Sequence, residues 1–423
     1  MSIKKKLIEN FISLTSLQLL NYIIPLITLP YLVRTLGPSE YGAIALSQSS
    51  IIFFNILTDY GFNLSATKQI SIEQESVERV SKVFSSVLYI KILLVLISFL
   101  ILIALIAFVP QFHDHKYIFL VSYGVIIGNA IFPMWLFQGL EKVKYVTILN
   151  IVFKSLSTAL IFIFVKGPSD SIFIPTINSL SMISISLISI LLITIQLKIK
   201  FVRVPFASFT FQLKEGWHTF LSTIAMNLYT SSNVLILGFA TNTSSVAYYD
   251  GAQKIVTAAS GIVSPFSQAI YPYVSRLLID SKEDGMRVLR RTLKIVAVCT
   301  FITSLVIYSL ADKIVYSFLG KGFSETIPVL KVLAFVPFLI GLSNVFGILT
   351  MLPLGYKKLF SRIIVSASLT HLLLSVVLAG LFKELGTAIS VVTIECLITL
   401  VMYLSLKKRN VVYLKLKEAE PRR

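Results

Sequence analysis

The chain has 423 residues, 56% of them hydrophobic and only 14% charged, with a mean hydropathy of +0.84. Soluble domains carry about 25% charged residues, so a soluble globular protein is excluded and the class is an all-α polytopic membrane protein. The formal charge of +18 would suggest nucleic acid in a soluble chain, but here it falls between apolar windows and no nucleic-acid partner is expected.

The opening MSIKKK leads into a long apolar run with no A-x-A-like cleavage site, which predicts a retained first helix. Windows of about 20 apolar residues then mark twelve spans: 11–33, 41–64, 83–109, 117–138, 145–165, 171–196, 215–239, 246–275, 295–311, 325–351, 358–382 and 385–406. An even number of spans behind Lys4, Lys5 and Lys6 places both termini in the cytoplasm. The positive-inside rule agrees, because only Arg34, Lys116, Lys166, Lys313, Lys321 and Lys383 fall in the opposite loops. The larger connections, 65–82, 197–214 and 276–294, are then cytoplasmic, and the last of them is expected as an amphipathic surface element. The outer loops are short, the longest being about 312–324.

The two halves are weakly similar. At an offset of 209 residues Phe11, Ser13, Gly42 and Ala43 meet Phe220, Ser222, Gly251 and Ala252; at 216, Gly139 and Lys142 meet Gly355 and Lys358. Two six-helix lobes, 1–205 and 206–423, are expected, related by an axis along the membrane normal. Such repeats are common in transporters, with the substrate site between them.

Seven ionisable residues lie within the spans: Asp59, Lys91, Lys154, Asp250, Lys254, Lys331 and Glu395. Each costs roughly 2.5–3.5 kcal/mol at a helix centre, so each is expected to face the bundle interior or a water-filled cavity. Lys154 sits about 13 Å into its helix at the usual rise, too deep to snorkel, and Lys91 lies at a similar depth. With Lys254 and Lys331 from the second half they form an expected cationic cavity for an anionic ligand. Asp250 and Lys254, four residues apart, also fit an internal ion pair, Asp59 fits an interfacial position equally well, and Glu395 fits a protonation site or a neutral buried acid. Pro25 and Pro30 each remove a backbone hydrogen bond from the first helix, giving either a hinge or a fixed kink.

Other chemistry is sparse. Cys299 and Cys396 have neither disulfide nor metal spacing and are expected as small buried hydrophobes. His113-Asp114-His115 makes a weak metal pattern in a polar loop, Gly320-Lys321-Gly322 a turn, and no phosphate-binding G-x-x-x-x-G-K-[ST] occurs. No nucleophile–base constellation, metal site or cofactor is expected. Tyr22, Tyr31, Trp135, Trp217, Tyr271 and Tyr273 are expected mostly as interfacial anchors.

LPYLVRTLGPSEYG (29–42), DYGFNLSATKQIS (59–71), FPMWLFQGLEKVKYVTILN (132–150), YYDGAQKI (248–255), QAIYPYVSRL (268–277) and LPLGYKK (352–358) resemble the Wzx-type polysaccharide flippases, relatives of the MATE exporters and the lipid II flippase in the MOP superfamily. The resemblance covers nearly the whole chain. It implies two six-helix lobes in a V around a cationic cavity, and transport of an undecaprenyl-pyrophosphate-linked oligosaccharide, such as an O-antigen or capsule repeat unit, to the outer leaflet of the bacterial inner membrane. Arg34, inside the first of these motifs, lies at the outer mouth of the first helix. The expected partners are the lipid-linked oligosaccharide, membrane lipids, and a polysaccharide polymerase with its chain-length regulator. Coupling to a proton or sodium gradient through Asp59, Asp250 or Glu395 stays open, as do the alternatives of a MATE-like exporter and a membrane-embedded polymerase or transferase.

Overall fold

The computed structural model describes the backbone of residues 3–261, 263–409 and 411, with side chains of those residues from 24 on except 264. Described secondary structure is helical throughout: α1 (Ile3–Asp59), α2 (Phe62–Glu73), α3 (Val77–Phe108), α4 (Pro110–Asp114), α5 (Lys116–Ile131), α6 (Met134–Gly139), α7 (Val143–Phe164), α8 (Phe173–Ile195), α9 (Phe206–Thr230), α10 (Ser232–Ala240), α11 (Thr243–Ser260), α12 (Val263–Asp280), α13 (Lys282–Ser309), α14 (Ala311–Ile314), α15 (Thr326–Leu333), α16 (Val336–Phe346) and α17 (Lys357–Lys408). Among the described residues eight helical stretches are long and apolar enough to cross a membrane, and α9 with α10, bent by 62°, adds a ninth.

Two of those stretches are double. Ile24–Glu73 and Lys357–Lys408 contain 50 and 52 residues, roughly 75 Å of helix each against a hydrocarbon core of about 30 Å. The first is interrupted at Gly37 and again at Tyr60 and Gly61, where α1 gives way to α2, and the second at Lys383 within α17. Gly37 has φ 72° and ψ 175°, a region almost closed to other residues, and Pro38 follows where a helix start tolerates proline. With α11 and α12 as a further, less apolar pair, about twelve crossings result. The α1 backbone stays helical through Pro25 and Pro30; its break falls at Gly37.

The chain forms two compact units, Met1–Asp250 with Phe318–Gly322, and Gly251–Ser317 with Phe323–Arg423. In the first, α5 packs along α8 through small residues. A Cβ on Gly124 would lie 2.7 Å from Ser179 Cβ, and one on Gly128 2.8 Å from Met182 Cγ. Ser179 and Ser186 hydroxyls donate across this contact to the carbonyls of Val121 and Gly128. Close approach with interhelical hydrogen bonds suits a medium where hydrophobic association between helices is weak. The outer side of α3 exposes Leu93, Leu96, Leu100 and Ile103, as expected of a helix facing lipid. In the second unit α13 packs on α16, and α15 and α16 on α17.

Several expected boundaries are corrected. The 246–275 span is two helices separated around Gly261. The 276–294 connection is no loop: α13 starts at Lys282 with only Ser281 between it and the end of α12, and the Ser281 hydroxyl accepts the Asp284 N–H at 3.3 Å. That is an N-cap, supported by Glu283 and Asp284 in the first turn. Within 65–82, α2 runs to Glu73 and α3 begins at Val77 behind the Ser76 cap. The 197–205 connection is pinned to α3, where Ser81 and Ser85 Oγ accept the N–H groups of Lys200 (3.1 Å) and Val202 (2.9 Å). Cys299 and Cys396 are exposed, not buried: both lie on helix surfaces where an apolar side chain can face lipid. Trp135 is 1% exposed, packed near Phe84 in the core of the first unit, and is no interfacial anchor. The side chain of Tyr22 lies outside the described residues.

Candidate functional site: a polar cavity around Asp59 and Lys91

Helix α1 ends at Asp59, and two residues in left-handed conformation, Tyr60 (φ 46°) and Gly61 (φ 80°), separate it from α2. The break turns the start of α2 back beside Asp59, so that Asn63 Nδ2 donates to Asp59 Oδ2 at 2.5 Å. Glycine at 61 is required twice over. Its φ is costly for other residues, and a Cβ there would stand 2.7 Å from Thr219 Cβ and 2.8 Å from the Gly216 carbonyl oxygen on α9. Gly216 answers it, since its own Cβ would stand 2.6 Å from the Tyr60 carbonyl oxygen. With the backbones this close, the Tyr60 ring stacks on Phe220, centroids 4.7 Å apart and planes 17° apart, with Trp217 at 6.4 Å.

Helix α3 brings Lys91 to the same place. Lys91 is 2% exposed, and its Nζ lies 2.9 Å from Asp59 Oδ1. One Asp59 oxygen thus takes the ammonium and the other the Asn63 amide, a charge-assisted arrangement stronger than a neutral hydrogen bond. These groups line a cavity of about 480 Å³ with Asn55, Thr58, Asn129 and Thr223, closed on its apolar side by Ile52, Ile56, Phe132 and Met134. Phe132 and Pro133 interrupt the line from α5 to α6, because the residue before a proline is steered away from the helical region. Asn129, one turn before this break, donates to Asn55 Oδ1 at 3.3 Å.

Two residues singled out in the sequence, Lys91 and Asp59, are therefore brought together, although one was expected as a cation for substrate and the other as a coupling or gating acid. The others lie elsewhere. Lys154 is partly buried on α7, Lys254 on α11 and Glu395 on α17. Lys331, on α15, is ion-paired at 2.9 Å with Asp312, and both side chains are more than a third exposed. Arg34 is exposed beside the Gly320 turn, which has φ 93°. Asp250 is buried and accepts the Tyr41 hydroxyl at 2.5 Å. Pro25 and Pro30 are half-buried. His113 and Asp114 are exposed, 3.7 Å apart, and no group of three potential metal ligands occurs among the described residues.

Asn55, Asn63, Asn129 and Tyr41 escaped sequence reasoning. The asparagines carry a signal, being amides inside or beside apolar runs (FFNIL, GFNLS, IIGNAIF), but bear no charge to mark them as out of place. A site of this kind holds and orients; its lining offers one ion pair, three amides and two hydroxyls around open volume.

Known proteins place this geometry in context. The family model for polysaccharide biosynthesis proteins matches residues 7–278. Two bacterial proteins, each named "Putative O-antigen transporter", match nearly end to end. The Escherichia coli (strain K12) relative is 35% identical over 407 residues, 96% of this chain and 98% of its own; the Shigella dysenteriae relative is 30% identical over 387 residues, 92% and 96%. Among solved structures, the lipid II flippase MurJ in an inward closed conformation aligns with a TM-score of 0.68 at 17% identity, over 95% of this chain and 87% of that one. An inward-facing MATE family multidrug transporter of the MOP superfamily gives 0.68 at 14%, over 94% and 100%. At such identities the likeness is one of fold. The family model covers more than half the chain and the relatives nearly all of it, and on that ground this multi-span membrane transporter belongs to the polysaccharide biosynthesis protein family.

Proposed function

We propose that the chain carries an undecaprenyl-pyrophosphate-linked oligosaccharide, an O-antigen or capsule repeat unit, from the inner to the outer leaflet of the bacterial inner membrane by alternating access. The observation that carries this reading is Lys91, an ammonium almost wholly buried yet lining an open polar cavity. A buried cation within a membrane bundle is costly and marks a functional pathway, and a pyrophosphate is a ligand that would offset the cost. The full-length relatives, named for O-antigen transport, support the substrate class. An ion-coupled drug exporter retains only the shared fold in its favour.

In this reading both termini are cytoplasmic, so the contact of Tyr60 and Gly61 with α9 lies toward the cytoplasm. The lobes 1–205 and 206–423 alternate around the substrate, with Pro25 and Pro30 as hinge candidates. Lys154, Lys254, Lys331 and Arg34 supply further positive potential along the path. A proton or sodium gradient drives the cycle through Asp59, Asp250 or Glu395, and a polysaccharide polymerase with its chain-length regulator takes up the delivered unit.

Complementation of a bacterial strain lacking its O-antigen flippase tests this. Wild type is expected to restore surface polysaccharide, Lys91→Ala to fail at equal membrane abundance, and Lys91→Arg to retain part of the activity. Normal complementation by Lys91→Ala would remove the cationic-cavity reading, and loss of transport on adding a protonophore would support gradient coupling.

A further inference from the structure

The same cavity carries a second kind of recognition group. Asn55 on α1 and Asn129 on α5 stand side by side in its wall, joined by one long hydrogen bond of 3.3 Å. Among the described residues that bond is the one hydrogen bond of either side chain. Each carboxamide offers two donor hydrogens and an acceptor oxygen, so this bond leaves the Asn55 amino group and the Asn129 carbonyl oxygen uncommitted in the cavity wall. Exchanging oxygen and nitrogen in both amides would leave the same outcome, one donor side and one acceptor side. Neither polar atom counts among the buried atoms lacking a partner, as expected for groups facing the cavity.

Unmet polar groups are expensive only where they are buried in an apolar setting; beside an open cavity these amide atoms stay available to a ligand. Phosphate matches only half of what this pair offers. Ionised phosphate oxygens accept hydrogen bonds, and nothing in them donates to a carbonyl. A hydroxyl both donates and accepts, and a sugar ring presents several. Thr223 adds a hydroxyl-bearing side chain to the wall, while Phe132 and Ile56 offer apolar surface to the C–H face of such a ring.

We propose that Asn55 and Asn129 form a sugar-hydroxyl subsite that reads the residue attached to the pyrophosphate, beside the Lys91 site for the phosphate itself. The inference rests on the proposed lipid-linked oligosaccharide substrate and adds to it the residues that read the glycan. Lys91 senses charge, which all such lipids share; the amides sense hydroxyl placement, which differs between sugars.

The test uses the full chain in lipid nanodiscs and two probes, undecaprenyl pyrophosphate and the same lipid carrying one N-acetylhexosamine. Binding of each is measured for wild type, Asn55→Leu, Asn129→Leu and Lys91→Met. Wild type is expected to prefer the glycosylated lipid, and each near-isosteric leucine variant to lower the ratio of the two affinities about tenfold, the scale of one or two lost hydrogen bonds. Lys91→Met should weaken both lipids together and leave the ratio in place. Binding of the bare lipid shows that a variant is folded, and a merely structural role would move both affinities alike. An unchanged ratio in both leucine variants, or a wild type indifferent to the sugar, overturns the subsite. Failure of wild type to bind either lipid overturns the substrate reading beneath it.

Discussion

Lys91 and Asp59 are 32 positions apart in the chain and 2.9 Å apart in space, one side chain 3% and the other 26% exposed. Removing one member strands the other's charge in a poorly solvated place. Lys91→Ala is expected to cost about 3 kcal/mol of stability, the lower end for a broken buried pair because Asp59 opens to the cavity. The neutral double variant Lys91→Met with Asp59→Asn should recover most of that loss and still fail to transport. Thermal unfolding in detergent, read beside complementation, separates the two effects.

The Tyr41 hydroxyl and Asp250 form a second buried link, at 2.5 Å, with the two residues 2% and 8% exposed. Tyr41→Phe keeps the ring and deletes the donor, so the carboxylate loses one of its partners. A cost of about 1–3 kcal/mol is expected, measurable as a lowered melting temperature, whereas Tyr41→Trp would add overpacking to the same loss.

Gly216 has no room for a side chain, because its Cβ would meet a backbone oxygen that cannot rotate away. Gly216→Ala should destabilise the α1–α9 contact by about 1–3 kcal/mol and loosen the Tyr60–Phe220 stack. The chain has two tryptophans, Trp135 and Trp217. In a Trp135→Phe background, the emission of Trp217 should therefore shift to the red in Gly216→Ala. An unaltered spectrum and melting temperature would contradict the contact.

Asp312, in the short α14, has its carboxyl held below the ordinary carboxylate range, first by the hydrogen bond from Lys331 and then by that residue's charge. A depressed folded pKa means that the pair's contribution is fully present above the unfolded carboxyl's pKa and is lost as pH falls through the folded value. A carbon-13 titration of the Asp312 carboxyl should show the depressed midpoint, and Lys331→Met should return it to the ordinary range. Salt should do the same in part, since exposed pairs are screened.

Apolar windows revealed the membrane class and most of the helices because hydrocarbon thickness dictates their length, and LGPS at 36–39 marked the break in α1 through the conformational demands of glycine and proline. Helix ends beyond the bilayer were harder. The charged run from Lys282 to Lys294 reads as a connection by composition, although Ser281 with Glu283 and Asp284 spells a helix start. Cys299, Cys396 and Trp135 show the limit of hydropathy: an apolar segment meets lipid on one face and protein on the other, and composition does not say which. For the site, Lys91 and Asp59 each stood out as misplaced charges, but their pairing is a long-range contact that no local pattern encodes. Asn55 and Asn129 are legible only as lone amides, which carry no charge to mark an apolar run as functional.

The long helices α1 and α17 are interrupted by different residues, and the difference has an engineering consequence. Gly37 adopts its backbone conformation freely, while Lys383 holds φ 53° and ψ −132°, a conformation that strains any residue bearing a Cβ by roughly 1–3 kcal/mol. The break inside α17 thus stores backbone strain that the break at Gly37 inside α1 does not. Lys383→Gly relaxes it at the site itself, net of the added freedom glycine brings to the unfolded chain, and offers a sturdier protein for crystallisation or drug screening with the Asp59–Lys91 cavity untouched.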